Sequence, residues 1–211
     1  MQTYDKRKQN DMGKIFCVMG KSATGKDTIY QRLLHKKELN LQKIVPYTTR
    51  PIREGEEHGR EYYFCTETDV QRLEADGRII ELRAYDTVYG IWKYFTVDDA
   101  HICLQKNNYL LIGTLESYMK IRAYFGKEQV VPIYIEVEDG ERLLRAIERE
   151  KMQDKPKYEE MCRRFLADAV DFSEENLKKA EIEKRFVNIK LEDTIYLIEN
   201  YIRCEMDSYL M

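Results

Sequence analysis

The sequence has no apolar run close to the roughly 18 residues that a membrane-spanning helix needs. Its first eleven residues are polar and mixed in charge and lack the apolar segment of a secretory signal, so we expect residues 1–12 to form a flexible tail. The cysteines are odd in number and form no C-x-x-C pair, which argues against a disulfide framework and a zinc site. They are Cys17, Cys65, Cys103, Cys162 and Cys204. We therefore expect a soluble, cytoplasmic protein.

A strong excess of basic charge is also absent. The 35 Lys and Arg residues are balanced by 38 Asp and Glu residues, which gives a net charge of −3. A chain with this balance has no general attraction for nucleic acid, so neither nucleic acid nor a membrane is an expected partner. The hydrophobic fraction of 43% is that of an ordinary globular protein and supports a buried core. Nothing in these figures indicates the oligomeric state.

Short apolar runs alternate with segments of helical periodicity. The runs that predict strands are Ile15–Met19, Ile44–Tyr47, Tyr109–Ile112, Val130–Val137 and Phe186–Ile189. The predicted helices are Lys26–Lys37, Val97–Lys106, Leu115–Tyr124, Gly140–Lys151, Tyr158–Ala180 and Glu192–Ile202. This alternation predicts an α/β fold, in which a central parallel sheet lies between two layers of helices.

Two stretches interrupt the alternation. Residues 47–96 contain short β-like pieces and no long helical pattern, which indicates an inserted β-rich lobe. Residues 138–166 are strongly charged and predict a helical hairpin. We expect a single domain over 13–205, with a core formed by 13–46, 97–137 and 167–205, a lobe over 47–96 and a lid over 138–166.

The segment Gly20-Lys21-Ser22-Ala23-Thr24-Gly25-Lys26-Asp27-Thr28 follows a predicted strand and opens a predicted helix. This is the setting of a phosphate-binding loop, in which glycines allow backbone N–H groups to face phosphate oxygens and the helix N-terminus adds its dipole. Lys26 is expected to reach the β- and γ-phosphates, and the hydroxyl of Thr28 to bind Mg²⁺. Asp27 stands where the common pattern has Ser or Thr. The predicted ATP-binding residues are Gly20, Ser22, Ala23, Thr24, Gly25, Lys26, Asp27 and Thr28.

A second anion-binding pattern spans Tyr47–Phe64, where Arg50 and Arg53 lie three residues apart among glycines. Paired guanidinium groups bind phosphate through parallel hydrogen bonds. The segment carries all fixed positions of the guanylate kinase signature T-T-R-x-x-R-x-G-E-x-x-G-x-x-Y-x-F. These are Thr48, Thr49, Arg50, Arg53, Gly55, Glu56, Gly59, Tyr62 and Phe64. From about Gly13 to Ile202 the chain resembles the guanylate kinase family.

The resemblance implies a role for individual residues. Arg50, Arg53, Tyr62 and Tyr89 correspond to residues that hold the acceptor monophosphate, and Glu81 to the carboxylate that reads guanine. In the lid, Arg145, Arg149 and Arg164, with Arg163 as the neighbouring alternative to Arg164, correspond to arginines that close over the triphosphate. Asn188 corresponds to a contact on the adenine side of ATP. The expected catalytic residues are Lys26, Arg50, Arg145, Arg149 and Arg164.

The chain also departs from the family pattern. Pro46 replaces a serine that helps bind guanine O6, and Ile91 replaces a Ser or Thr after the Tyr-Gly pair. Leu110–Thr114 replaces a segment that carries two aspartates, and Glu116 is the nearest carboxylate downstream. These changes leave the phosphate-binding residues in place and remove polar groups from the base pocket.

The resemblance implies an ATP-dependent nucleoside-monophosphate kinase that uses Mg²⁺ and transfers the γ-phosphoryl group to GMP. Two alternatives stay open. One is a related kinase for another nucleotide or a sugar phosphate. The other is a binding module that holds a phosphopeptide at the monophosphate site.

Overall fold

The computed structural model describes residues 12–87 and 90–207 of the 211-residue chain. The strands are β1 (Ile15–Met19), β2 (Leu41–Lys43), β3 (Tyr47–Thr48), β4 (Tyr63–Phe64), β5 (Ile79–Thr87), β6 (Gly90–Val97), β7 (Asn108–Ile112), β8 (Val130–Glu136) and β9 (Arg185–Val187). The α-helices are α1 (Lys26–Leu34), α2 (Glu67–Ala75), α3 (Leu115–Phe125), α4 (Asp139–Lys151), α5 (Tyr158–Asp171), α6 (Glu174–Lys179) and α7 (Leu191–Asp207), and a short 3₁₀ turn covers Lys37–Leu39.

The first sheet is parallel and has the strand order β2-β7-β1-β8-β9. Its central strand, β1, is buried along its whole length. One face of the sheet packs against α3 through Tyr118 and Ile121, and the other packs against α1 and α7 through residues such as Ile29 and Ile198. Burial on both faces explains why the central strands β1, β7 and β8 are almost continuously apolar. The predicted three-layer α/β fold is confirmed.

The second sheet is mixed and has the order β4-β3-β6-β5. Strands β5 and β6 pair antiparallel from Ile79↔Val97 to Thr87↔Gly90. Helix α2 covers one side of this sheet, where Val70 and Leu73 pack against Phe95. Apart from Val97, the residues of this sheet lie in the stretch 47–96. None of the helices in 12–87 and 90–207 is long and apolar enough to cross a membrane.

Two predicted elements near the junction of the sheets are wrong. The predicted strand Ile44–Tyr47 is a link, because β2 ends before it and β3 begins at its last residue. The predicted helix Val97–Lys106 does not form, since β6 includes Val97 and turns follow. Side chains satisfy the turn backbone instead: Asp99 Oδ1 accepts from the N–H of His101 (2.8 Å), and Tyr109 Oη accepts from that of Cys103 (2.8 Å).

The predicted helix Tyr158–Ala180 is interrupted. Helix α5 ends at Asp171, and α6 starts at Glu174. Ser173 lies between them in an extended conformation, and its side chain accepts a hydrogen bond from the N–H of Asn176. A serine in this position caps the start of a new helix, which redirects the chain. The other predicted helices and strands agree with the structure to within a few residues at each end.

Cys17 lies at the centre of β1 with no exposed surface, and burial raises the pKa of its thiol to about 12. Since the thiolate is the reactive form, we expect Cys17 to resist iodoacetamide at about pH 8 in the native protein. Cys162 is exposed on α5 and should be alkylated under the same conditions. Peptide mass spectrometry measures both rates, and the denatured protein, in which both react, is the control. Equal native rates at the two residues would contradict this burial.

Candidate active site

The loop between β1 and α1 is shaped by two glycines at close approaches. Gly25 has φ +83°, and a Cβ atom there would lie 2.7 Å from Nδ2 of Asn188. A Cβ atom on Gly20 would lie 2.5 Å from the carbonyl oxygen of Ile135 in β8. Both distances are too short for a side chain, so any larger residue would push the loop away from the sheet edge. The loop stands at the carboxyl end of the central strand, where α/β sheets bind ligands.

Asn188, directly after β9, braces this loop. Its side-chain Nδ2 donates to the carbonyl oxygen of Thr24 (2.8 Å), and its backbone N–H donates to that of Glu136 (2.8 Å). The hydroxyl of Thr24 in turn donates to the carbonyl oxygen of Lys21 (2.9 Å). Asn188 therefore contacts the loop backbone directly. The adenine-side contact implied by the resemblance stays a prediction.

The polar residues at the start of α1 lie together. Lys26 is the first residue of the helix, and its Nζ lies 3.4 Å from Oδ2 of Asp27. Asp27 and Thr28 are exposed, while Ser22 and Ala23 in the loop are half-buried. Ala23 adopts a positive φ of 62°. The helix N-terminus thus presents one cation, one carboxylate and one hydroxyl beside its free N–H groups.

We call residues 48–64 the acceptor turn. Its central residue, Arg50, is 3% exposed. The Arg50 Nη2 donates to Oε1 of Glu56 (2.7 Å), and Nη1 donates to the carbonyl oxygen of Pro51 (2.8 Å). The guanidinium lies over the rings of Tyr62 (5.4 Å) and Phe64 (5.6 Å). These contacts fix the guanidinium before any ligand binds.

Glu56 closes the acceptor turn. Its Oε2 accepts from the backbone N–H of Arg53 (2.8 Å), while its Oε1 pairs with Arg50. The hydrogen bond from Arg50 is the main reason that the pKa of Glu56 lies below its usual value. The side chain of Arg53 is exposed, and Tyr62 is half-buried, so both lie where a ligand can reach them. Tyr89 lies outside the described residues.

Glu81 on β5 is 3% exposed and is held by two neighbours. Arg83 Nε donates to its Oε2 (3.0 Å), and the hydroxyl of Thr96 donates to its Oε1 (2.9 Å). Burial acts to lower the pKa of Arg83, but the Glu81 carboxylate outweighs it and the pKa is raised. Glu81 was expected from the sequence, whereas Arg83 and Thr96 were not. The alternation along β5 places residues 81 and 83 on one face, whereas the pairing with β6 that brings in Thr96 is not visible in the pattern.

The positions that depart from the family pattern have contacts of their own. Pro46 is half-buried and accepts from the N–H of Tyr63 (2.9 Å), and Ile91 is 60% exposed. Thr114 caps α3 by a reciprocal pair of hydrogen bonds with Ser117. A Cβ atom on Gly113 would lie 2.5 Å from Oγ of Ser117, so a side chain there requires this cap to move. Glu116 is exposed and pairs with Lys120 (2.7 Å).

The arginines of α4 and α5 lie near the phosphate loop. Arg145 Nη2 donates to the carbonyl oxygen of Asn188 (3.3 Å), and its Nε donates to Glu141 (2.9 Å). Arg149 and Arg164 line one pocket together with Ser22 of the loop. Arg164 and Arg163 both donate to Glu160. The hydrogen bond from Arg163 contributes most to the low pKa of Glu160, about 2.

The chain is similar to known proteins of one family. A family model described as guanylate kinase matches residues 12–205. A guanylate kinase of Anaplasma phagocytophilum (strain HZ) is 29% identical over 203 residues, which cover 92% of this chain and 88% of that relative. A guanylate kinase of Porphyromonas gingivalis is 30% identical over 126 residues, covering 59% of this chain and 65% of that relative. A crystal structure of guanylate kinase from Anaplasma phagocytophilum is similar, with a TM-score of 0.60, 26% identity, and coverage of 92% of this chain and 87% of that one.

Proposed function

The chain belongs to the guanylate kinase family, and we propose that the residues described above carry out the ATP-dependent phosphorylation of GMP to GDP. Family membership makes the protein a nucleoside-monophosphate kinase. The observation that carries the proposal is that two separate structures have the chemistry to bind a phosphate group, the glycine-shaped loop 20–28 beside Lys26 and the acceptor turn around Arg50. One site for each phosphate group is what transfer between two nucleotides requires.

The donor side would be built by the loop 20–28 and the first turn of α1. Gly20 and Gly25 keep the loop close to the sheet, so that its N–H groups and the helix dipole face an anion. Lys26 adds a positive charge at the same end of the helix. In phosphoryl transfer the negative charge spreads over the transferred group, and fixed positive groups around it lower the barrier.

ATP is used with a divalent metal in this reaction, and we propose Mg²⁺ in this protein. The hydroxyl of Thr28 and the carboxylate of Asp27 offer hard oxygen ligands of the kind that Mg²⁺ prefers. No cluster of three or more His, Cys, Asp or Glu side chains suited to a metal occurs in 12–87 and 90–207. Mg²⁺ at a nucleotide commonly takes one or two protein ligands and completes its shell with phosphate oxygens and water. The metal would supply charge neutralisation at the phosphates.

On the acceptor side, Arg50, Arg53 and Tyr62 would hold the phosphate of GMP. That phosphate is already an anionic nucleophile, so the protein needs no general base and has only to align it with the donor. The buried Arg50 suits this task, because its guanidinium is already oriented by Glu56 and two rings. An arginine fixed in this way loses little freedom on binding.

The lid arginines would complete the charge around the transferred group. Arg149 and Arg164 line the pocket that reaches Ser22, and Arg145 lies beside Asn188. We propose that α4 and α5 close over the triphosphate and exclude water, which prevents transfer to water instead of GMP. The proposed compartment is the cytoplasm, with which five cysteines that form no disulfide are consistent.

The guanine base would be read by Glu81. Guanine offers two adjacent N–H groups on one edge, which a carboxylate accepts together, and adenine does not. Arg83 and Thr96 orient this carboxylate.

For Glu81→Gln, which replaces one acceptor atom by a donor, we expect kcat/KM for GMP to fall by about 10- to 100-fold, equivalent to about 1–3 kcal/mol. A coupled assay with GMP, AMP, CMP and UMP, with and without Mg²⁺, measures this.

The matched control is Asp86→Asn, which removes an exposed carboxylate from the same strand. Its kcat/KM for GMP should stay within about twofold of the unchanged protein. If the unchanged protein turns over GMP no better than the other three monophosphates, Glu81 does not read guanine. If it binds no ATP, the kinase proposal fails and the phosphopeptide-binding alternative becomes the better explanation of the acceptor turn.

A further inference from the structure

Both backbone polar groups of Ser22, in the loop 20–28, form hydrogen bonds with side chains from helices that are distant in sequence. Its backbone N–H donates to Oδ2 of Asp168 on α5 (2.7 Å). Its carbonyl oxygen accepts from Nη1 of Arg142 on α4 (2.9 Å). The same Nη1 lies 3.4 Å from Oδ2 of Asp168. One arginine and one aspartate therefore satisfy both backbone polar groups of this loop residue.

The guanidinium of Arg142 uses its Nε, Nη1 and Nη2 atoms for hydrogen bonds at this junction. Its side chain is 1% exposed, and its Nε and Nη2 both donate to Oδ1 of Asp139 (3.0 Å each). Its guanidinium lies 4.4 Å from the centre of the Phe165 ring. Asp139 also pairs with Lys21 (3.2 Å), the loop residue before Ser22. A buried guanidinium is costly unless all its donors are paired, and here the loop supplies one of the acceptors.

These contacts connect the loop to the helices that carry the lid arginines. Arg142 precedes Arg145 and Arg149 on α4, and Asp168 is one helical turn beyond Arg164 on α5. The side-chain polar contacts of Arg142 and Asp168 within 12–87 and 90–207 go to Ser22, to Asp139 and to each other. They do not involve the acceptor turn.

We propose that Arg142 and Asp168 are positioning residues for ATP: they fix the peptide groups of Ser22, and thereby the direction of the following loop N–H groups relative to Arg149 and Arg164. This inference rests on the proposed function in one respect, namely that ATP is the ligand of the loop 20–28. The pair acts through the loop backbone, because its charged atoms are paired with each other and with the protein. Its loss should weaken ATP binding and leave GMP binding unchanged.

The first test is Asp168→Asn, which keeps an oxygen that can accept from Ser22 but loses the charge facing Arg142. We expect KM for ATP to rise about 3- to 10-fold. Asp168→Ala also removes the acceptor for the Ser22 N–H, and we expect a rise of at least about 10-fold, in line with the loss of a hydrogen bond to a charged group. In both variants KM for GMP should stay within about twofold. Calorimetric titration with Mg·ATP, without acceptor, measures ATP binding independently of turnover.

A double variant, Arg142→Leu with Asp168→Ala, separates positioning from simple stabilisation. Replacing buried ionic groups together by apolar residues is often neutral for stability, and Asp139, the other partner of Arg142, has a half-exposed side chain that water can solvate. We expect the melting temperature to recover relative to Asp168→Ala, while ATP affinity stays at least about 10-fold reduced. If ATP affinity recovers together with the melting temperature, the pair is only structural and the proposal is wrong. If the double variant does not fold, Asp168→Asn decides: an unchanged KM for ATP overturns the proposal.

The matched control is a partly buried ion pair at the other end of β1, between Lys14 and Glu205 (2.8 Å). Lys14→Leu with Glu205→Ala should leave KM for ATP within about twofold of the unchanged protein, whatever its effect on the melting temperature. Failure of the proposed function is a separate result, because it appears as absent GMP turnover by the unchanged protein. Weakened ATP binding in the Asp168 variants would still be measured by titration.

Discussion

For Lys26→Ala we expect kcat to fall by roughly 100- to 1000-fold, the usual loss when one group that stabilises the transition state is removed. Lys26 is the cation at the start of α1, directly after the glycine that turns the loop. Its ion pair with Asp27 involves a carboxylate that is 82% exposed, and such pairs contribute little to stability. The melting temperature should therefore stay close to that of the unchanged protein. A coupled assay with saturating ATP and GMP, and a thermal melt, measure the two effects.

Lys26→Arg is the informative companion to this variant. It keeps the charge but replaces a compact ammonium group by a wider planar one. We therefore expect its kcat to lie between that of Lys26→Ala and that of the unchanged protein. The matched control is Lys120→Ala, which removes an exposed lysine paired with Glu116 on α3. Its kcat should be unchanged within about twofold. If Lys26→Ala keeps more than about a tenth of the activity, the loop does not hold the transferred phosphoryl group in the proposed way.

Much of the fold follows from local sequence patterns. Strand β1 reads as a short apolar run and ends directly before a glycine, so its bounds were predicted correctly. The segment after β6 shows that a local pattern can predict the wrong element. Its spacing of apolar residues is helical, but Asp99 and Tyr109 provide side-chain partners for its backbone, and turns form instead.

The same distinction between local and long-range contacts applies to the residues of the candidate site. Lys26 and Arg50 lie in continuous motifs, and Glu81 follows from the family resemblance, so all three were proposed from the sequence. Arg142 and Asp168 were not, because they meet Ser22 across 120 and 146 positions of chain. On its own helix Arg142 looks like part of a solvated charged face. Only the packing of α4 against α5 shows that it is buried, since a periodic pattern gives the face of a helix but not its partner.

The second large effect is expected for Arg50→Ala, which should raise KM for GMP by about 100-fold and leave KM for ATP within about threefold. Removing a bidentate charged contact to a phosphate costs about 2–3 kcal/mol or more. The variant also leaves Glu56 without its main partner and opens space beside Tyr62, so the melting temperature should fall. Arg50→Lys should give a smaller rise in KM, since it keeps the charge without the fork.

Glu56→Gln distinguishes lost phosphate binding from a loosened acceptor turn. It weakens the same ion pair but retains Arg50, so we expect a lower melting temperature with a rise of less than about fivefold in KM for GMP. The pH dependence gives an independent check. Because Arg50 lowers the pKa of Glu56, this pair stabilises the fold above the ordinary pKa of a glutamate, and that stabilisation is lost as the pH falls through the lowered value. Between about pH 7 and pH 3, the melting temperature should therefore decrease less as the pH falls in Glu56→Gln and in Arg50→Ala than in the unchanged protein. If Glu56→Gln raises KM for GMP as much as Arg50→Ala does, the arginine acts by shaping the turn and does not hold the phosphate.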